Sequence, residues 1–266
     1  MKTVQKLAFC AAAIVGLVGC GNNEVATVTT DGSTSMEKVI GVLGESYKAE
    51  TGTQVTYNPT GSSAGIKAVL EGRAQIGLSS RNLKKAEEEQ GAVGTPVAYD
   101  GIALIVHPSN TVSDLTVEQV QALFTGKVTT WDGVNGAANP VVLIGREAGS
   151  GTRDGFESIT KTNNQCQYRQ ELTSTGDVIT TVSQNPNAIG YASVASLKDN
   201  VKAIKINGVE PTEANIANGS YVVQRPFLIV TKKDSLDLNA AKFVEYMTST
   251  KVHRMIKKAG VVPASK

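Results

Sequence analysis

Aromatic residues are scarce in this chain. They make up 5% of 266 residues, with a single tryptophan. That composition argues against a sugar site built on stacked rings and against a groove for single-stranded nucleic acid. Histidine stops at two and cysteine at three, which leaves little material for a metal centre or a histidine-based catalyst. There is no excess of one charge either: 26 Lys and Arg face 24 Asp and Glu, a net +2. A nucleic-acid binder carries a larger basic excess or a basic stripe. With 41% hydrophobic and 19% charged residues, the chain is neither disordered nor a multi-span membrane protein. Glycine, by contrast, is plentiful at 26 residues, and it clusters beside Ser and Thr.

The first twenty residues read as a targeting segment. Lys2 and Lys6 form a positive start, and Leu7 to Val18 form an apolar run. The run falls well short of the ~20 residues that span a bilayer. Leu17-Val18-Gly19-Cys20 resembles the lipobox of bacterial lipoproteins, in which the cysteine becomes the lipidated first residue. The expected division is therefore a signal peptide over 1–19 and a lipidated tether over 20–24. Removal of 1–19 takes Lys2, Lys6 and Cys10 with it and leaves the mature chain with balanced charge. Lipid on Cys20 leaves Cys166 alone, so no intramolecular disulfide is available. Cys166 reads as a partly buried, inert thiol.

The remainder alternates strand and helix. Met36, Val39, Ile40, Leu43 and Tyr47 recur at helical spacing and stop near Thr51-Gly52. Strands are expected over Val25–Thr30, Thr53–Asn58, Gln75–Ser79, Val141–Gly145, Ala188–Tyr191 and Phe227–Thr231. A long strand-like run covers Pro96–His107. Helices are expected over Ala64–Glu71, Leu83–Gln90 and Thr152–Ile159, around Val178–Val182, and twice at the C-terminus. Thr116-Val117-Glu118-Gln119 reads as a capping box that opens a helix to Phe124. Strands separated by single helices imply an α/β fold with mostly parallel sheets. The runs Pro96–Pro108 and Tyr221–Thr231 are candidate crossovers between two lobes. The expected first lobe is then discontinuous, 25–103 with 224–266, and the second is 104–223.

Three Gly/Ser/Thr turns carry the chemistry. They are Gly32-Ser33-Thr34-Ser35, Gly61-Ser62-Ser63-Ala64-Gly65 and Gly149-Ser150-Gly151-Thr152. Each lies between a strand and a helix. In an open α/β sheet such turns sit at the carboxyl ends of strands, where ligands bind. A helix start offers unpaired N–H groups and the positive end of a dipole. One such turn is ordinarily an N-cap and nothing more. Three turns converging on one point would form a cage for a tetrahedral oxyanion. Arg146, three residues before the third turn, brings a planar fork that grips two oxygens.

These residues resemble the phosphate-binding proteins of phosphate ABC transporters, which are type II periplasmic binding proteins. The likeness rests on four stretches: Gly32 to Met36, Thr60 to Ile66, Ile76 to Arg81, and Arg146 to Phe156. Ala188-Ile189-Gly190-Tyr191 adds a structural strand motif. The resemblance implies a two-lobed fold with the ligand between the lobes. It also implies a site in which Thr34 and Ser35 give N–H and hydroxyl donors and Ser62 a hydroxyl. Arg146 would bind bidentately, Ser150, Gly151 and Thr152 would close the third side, and Ser79-Ser80-Arg81 would complete the cage. Ser33, Ser63 and Arg153 belong to the same candidate set. Some members of that family place Asp where this chain has Ser80 and Ala148, to accept the proton of phosphate. Asp100, in the crossover run, is the expected substitute; its alternative role is to pair with Arg81 or Arg153.

The expected function is capture of inorganic phosphate outside the cell by a monomeric, lipid-anchored receptor that feeds a membrane permease, with no cofactor and no metal. A receptor for sulfate or molybdate, a sensor whose closed form docks a partner, and a secreted hydrolase of phosphate esters using Ser150 or another turn Ser stand as alternatives. The hydrolase needs a general base, and no His lies near the three turns in sequence. The Gly-x-Ser-x-Gly pattern also fails at Ala148.

Overall fold

The computed structural model describes residues 25–264. The targeting segment, Cys20 and the tether lie outside the described residues. Twelve strands occur there: β1 (Thr27–Gly32), β2 (Gln54–Asn58), β3 (Ile76–Ser79), β4 (Ala92–Val106), β5 (Asp114–Leu115), β6 (Val142–Arg146), β7 (Gln170–Leu172), β8 (Ala188–Ser193), β9 (Lys202–Ala203), β10 (Lys205–Ile206), β11 (Gln224–Lys232) and β12 (Val262–Pro263). The α-helices are α1 (Glu37–Thr51), α2 (Ser62–Leu70), α3 (Lys85–Glu89), α4 (Val117–Phe124), α5 (Gly151–Ile159), α6 (Thr175–Ser183), α7 (Glu213–Ala217), α8 (Leu238–Thr248) and α9 (His253–Lys258). No helix among the described residues is long and apolar enough to cross a membrane.

The strands form a continuous order, β2-β1-β3-β11-β4-β8-β6-β7. The outer pairs are parallel on both sides, β2-β1-β3 in one lobe and β8-β6-β7 in the other. The middle is antiparallel, because β11 runs against β3 and β4, and β4 runs against β8. The expected mostly parallel sheet thus holds in the wings and gives way where the chain passes between lobes. Strand β4 pairs with β11 as far as Gly101 and with β8 from Ile102 onward. The switch of partner falls two residues before the expected 103/104 boundary. β4 also starts earlier than its apolar run suggests, because Ala92 already pairs with Lys232. Pro96 is tolerated inside it at a register irregularity opposite Phe227/Leu228.

Each lobe has its own core. Along α1, Val39, Ile40, Leu43 and Tyr47 are buried at helical spacing, and Gly52 ends the helix in the left-handed region at φ 75°. Tyr47 packs on Phe243 and Tyr246 at ring distances of 4.9 and 5.0 Å. In the other lobe Phe156 stacks on Tyr191 at 4.3 Å and meets Phe124 edge-on at 4.7 Å. Residues Ile102 to Val106 are buried on both faces, which explains their unbroken apolar run. The capping box at Thr116 forms as expected: its hydroxyl accepts from Gln119 N–H, and the Gln119 side chain accepts from Thr116 N–H. Cys166 is half-buried against Thr162, and burial pushes its thiol up, away from thiolate chemistry.

Candidate functional site

Four helix starts meet between the lobes. The chain leaves β1 through Gly32 and Ser33 and makes a short 3₁₀ turn, Thr34–Met36, into α1. Ser33 N–H donates to Leu78 O at 2.8 Å, and the Tyr57 hydroxyl donates to Ser33 O at 2.8 Å. This clamp leaves the N–H groups of Thr34 and Ser35 as open donors among the described residues. Gly61, at φ 94°, turns the chain into α2 and places Ser62 at its first residue. Ser150 caps α5: its hydroxyl accepts from Arg153 N–H and its carbonyl from Asp154 N–H. Gly151 and Thr152 are left with the helix's open N–H groups. A methyl at Gly151 would run into the Ser62 and Ser80 hydroxyls, so glycine is what lets the lobes meet there. Ser174 caps α6, and Thr175 N–H donates to the Thr34 hydroxyl at 3.2 Å.

The hydroxyls join into a buried web across the lobes. Ser35 Oγ lies 2.9 Å from Thr152 Oγ1 and 3.0 Å from Thr175 Oγ1, and Thr34 Oγ1 lies 3.1 Å from Thr175 Oγ1. Ser62 Oγ accepts from Ser80 N–H at 3.1 Å and lies 3.2 Å from Ser80 Oγ. Ser63 N–H crosses to Gly149 O at 3.0 Å. Thr34, Ser35, Ser62, Ser80, Ser150, Thr152 and Thr175 are all at most 5% exposed. Burial of this many polar groups is tolerable only where each has partners. A crevice of about 700 Å³, with Thr34, Lys38, Thr175 and Gly176 in its walls, leads up to the web from solvent.

Two arginines stand on this web. Arg146, 1% exposed, ends β6, and its N–H donates to the Tyr191 hydroxyl at 3.2 Å, which ties the strand motif at Tyr191 to the site. Nε and Nη2 are held by both carboxylate oxygens of Glu147 and by the carbonyls of Leu172 and Thr173. Nη1 faces Thr175 Oγ1 at 3.3 Å. Arg225, 3% exposed, donates through Nη1 to Thr152 Oγ1 at 2.8 Å and to Ser80 O at 3.2 Å. Its Nη2 donates to Asp100 Oδ2 at 3.0 Å. Asp100 and Arg225 are register partners on β4 and β11, the two strands that join the lobes. Burial pushes the Asp100 carboxyl up and the Arg225 guanidinium down, and each charge offsets the cost to the other.

Several expected site residues stand elsewhere. Asp100 was expected to face the ligand as a proton acceptor, with Arg81 or Arg153 as alternative partners. Instead it is fully buried, with one oxygen taken by Arg225 and the other accepting from Ala195 N–H at 3.4 Å. Arg81 turns away from the web: Glu87 takes its two Nη groups at 2.6 and 2.8 Å, Asp154 lies 3.0 Å from Nε, and Ser63 Oγ accepts from Nη2. Ser63 is thereby engaged with Arg81 and Gly149. Arg153 is consumed by Glu157, Glu171 and the Arg146 carbonyl and lies over the Tyr168 ring at 5.0 Å. Ser33 contributes its backbone, through the clamp described above.

Thr175 and Arg225 also stand at the web, outside the residues the sequence marks. Thr173-Ser174-Thr175-Gly176 is a fourth turn of the same composition ahead of a helix, so its signal was present. Arg225 carries no motif; only the β4–β11 register puts it opposite Asp100.

A two-lobed α/β molecule with helix starts facing one another between the lobes is the architecture of a solute-binding protein. The family model described as PBP superfamily domain matches residues 21–251. The phosphate-binding protein PstS of Borreliella burgdorferi is 30% identical over 258 residues, covering 92% of this chain and 92% of that protein. A Clostridium perfringens structure with bound phosphate, described as a phosphate ABC transporter substrate-binding protein, is 38% identical with a TM-score of 0.87 and covers 90% of this chain and 100% of its own. An ABC-type phosphate transport receptor from Vibrio cholerae is 32% identical with a TM-score of 0.74, over 88% and 99% of the two chains. The chain belongs to the PBP superfamily and, within it, to the phosphate-binding proteins of phosphate ABC transporters.

Proposed function

We propose that this protein captures inorganic phosphate on the outer side of the membrane and delivers it to an ABC permease. The observation that carries the reading is the convergence of four helix starts, their hydroxyls and the Arg146 guanidinium on one buried point between the lobes. Helix N–H groups and dipoles favour an anion, and the hydroxyls add short donors. The anion is reached when the lobes part about β4 and β11 and is desolvated when they close. The bonds Ser63–Gly149 and Ser35–Thr152 across the lobes are what closure makes. Calorimetric titration of the mature protein tests this: phosphate binds with one site per chain. An absence of phosphate binding overturns it.

Anchoring is proposed through lipid on Cys20, with the protein acting as a monomer held near its permease. Cys20→Ser is expected to release the protein from membranes or to leave its precursor unprocessed, as read by membrane fractionation and mass. A processed, membrane-held Cys20→Ser protein contradicts the anchor.

The hydrolase reading requires a general base at Ser150, whose hydroxyl accepts from Arg153 N–H. His107 bonds Ser109 at 2.7 Å near the end of β4, and His253 opens α9.

A further inference from the structure

Phosphate at neutral pH keeps at least one proton, so a phosphate receptor must offer an acceptor as well as donors. The carboxylates hydrogen-bonded to the arginines of this web are engaged with them. Asp100 is spent on Arg225 and Ala195 N–H, and Glu147 holds Arg146 with both oxygens. The hydroxyl oxygens are the neutral side-chain acceptors within the web, and they are not alike. Thr152 Oγ1 receives a hydrogen bond from Arg225, and Thr175 Oγ1 receives one from Arg146. A guanidinium only donates, so each of these oxygens is an acceptor toward a cation and is polarised to donate onward. Ser35 lies between the two, and Thr34 already accepts from Thr175 N–H.

Ser62 differs. Its oxygen takes one neutral N–H, from Ser80, and its neighbour is the Ser80 hydroxyl at 3.2 Å. Neither side-chain oxygen receives a hydrogen bond from an arginine. The direction of the bond between them is free. If Ser62 donates to Ser80, its remaining lone pair accepts a proton from the ligand. If Ser80 donates to Ser62, the Ser62 proton turns to the ligand. The missing side chain at Gly151 is what leaves both hydroxyls room at the start of α5.

We infer that the Ser62–Ser80 hydroxyl pair is the proton acceptor for bound phosphate and sets its selectivity against sulfate. The inference rests on the phosphate reading above. A carboxylate meets sulfate with acceptor against acceptor, and a reversible hydroxyl pair does not, so sulfate is a measurable competitor here.

The test is competition between phosphate and sulfate on the whole mature protein, wild type against Ser80→Ala and Ser80→Thr. With Ser80→Ala, Ser62 has no hydroxyl to donate to, and the phosphate O–H is left unpaired. Phosphate affinity is expected to fall roughly tenfold, the effect of one unsatisfied buried group, with sulfate changed less than about threefold. Ser80→Thr keeps the hydroxyl and is expected to restore the wild-type ratio. Equal losses for both anions in Ser80→Ala, or an unchanged ratio, overturn the assignment with the phosphate reading intact. Failure of the wild type to bind phosphate overturns that reading itself.

Discussion

Two pairs of arginines in this molecule look alike in sequence and do different work. Arg146 and Arg225 stand at the hydroxyl web, each lending a donor to a threonine that bridges the lobes. Arg81 and Arg153 follow Gly/Ser stretches just as closely, yet carboxylates from neighbouring turns consume them. Arg81 and Arg225 also share the walls of a crevice of about 450 Å³ with Lys84, Asp154 and Glu157, a surface of mixed sign. What separates the pairs is which donors the acids leave: Glu147 takes Nε and Nη2 of Arg146 and leaves Nη1 for Thr175, and Asp100 takes Nη2 of Arg225 and leaves Nη1 for Thr152. Arg81 has Glu87 within two turns of chain, and Arg153 has Glu157 one helical turn ahead. Arg225 has a single carboxylate, and it reached that one only through strand pairing. A guanidinium has five donors, and its role is set by how many remain after its acids are served.

The comparison breaks most visibly at Arg225. Arg225→Met leaves Asp100 buried without its cation, and loss of one member of a buried pair costs about 3–5 kcal/mol of stability. A large drop in the thermal midpoint is expected, with most of it recovered when Asp100→Asn is added. If Arg225→Met melts like wild type, the pair is not what joins the two crossing strands.

Arg146→Ala comes next. Removing one charged, desolvated partner of a bound anion is expected to cost about 2–5 kcal/mol of phosphate affinity, measured by calorimetry. Wild-type affinity in this variant removes the arginine from the site.

Arg153→Ala sharpens the contrast with the smallest effect on binding. Glu157, buried beneath Arg153, keeps Tyr168 and Asn164 as donors and loses its charged one. Stability is expected to fall by roughly 1–3 kcal/mol, the cost of an under-satisfied buried acceptor. Phosphate affinity is expected to change less than about threefold. A large loss of affinity here would place Arg153 back at the ligand.

This contrast also measures how far the sequence could be read. Element types were legible because their signals are local: the α1 stripe ending at Gly52, the capping box at Thr116, the apolar run into β4. That Thr34, Ser35, Ser62, Gly151 and Thr152 open helices was legible because a helix start declares itself through its own Gly, Ser and Thr. The partners of Arg81, Arg153 and Asp100 were not legible, because a charged residue's partner is a matter of tertiary position. Arg225 was invisible for the same reason. Thr175 lies in a turn like the other three, but the sequence marks its helix by Val178, Ile179 and Val182 and leaves the first residue unmarked.

A structure of the protein crystallised with inorganic phosphate tests the central claim most directly. The account predicts one anion between the lobes, within hydrogen-bond distance of Ser35, Ser62, Thr152 and Arg146 and of the open N–H groups at the start of α5. A phosphate bound instead in the crevice beside Arg81 and Lys84, with the hydroxyl web unchanged, would contradict it.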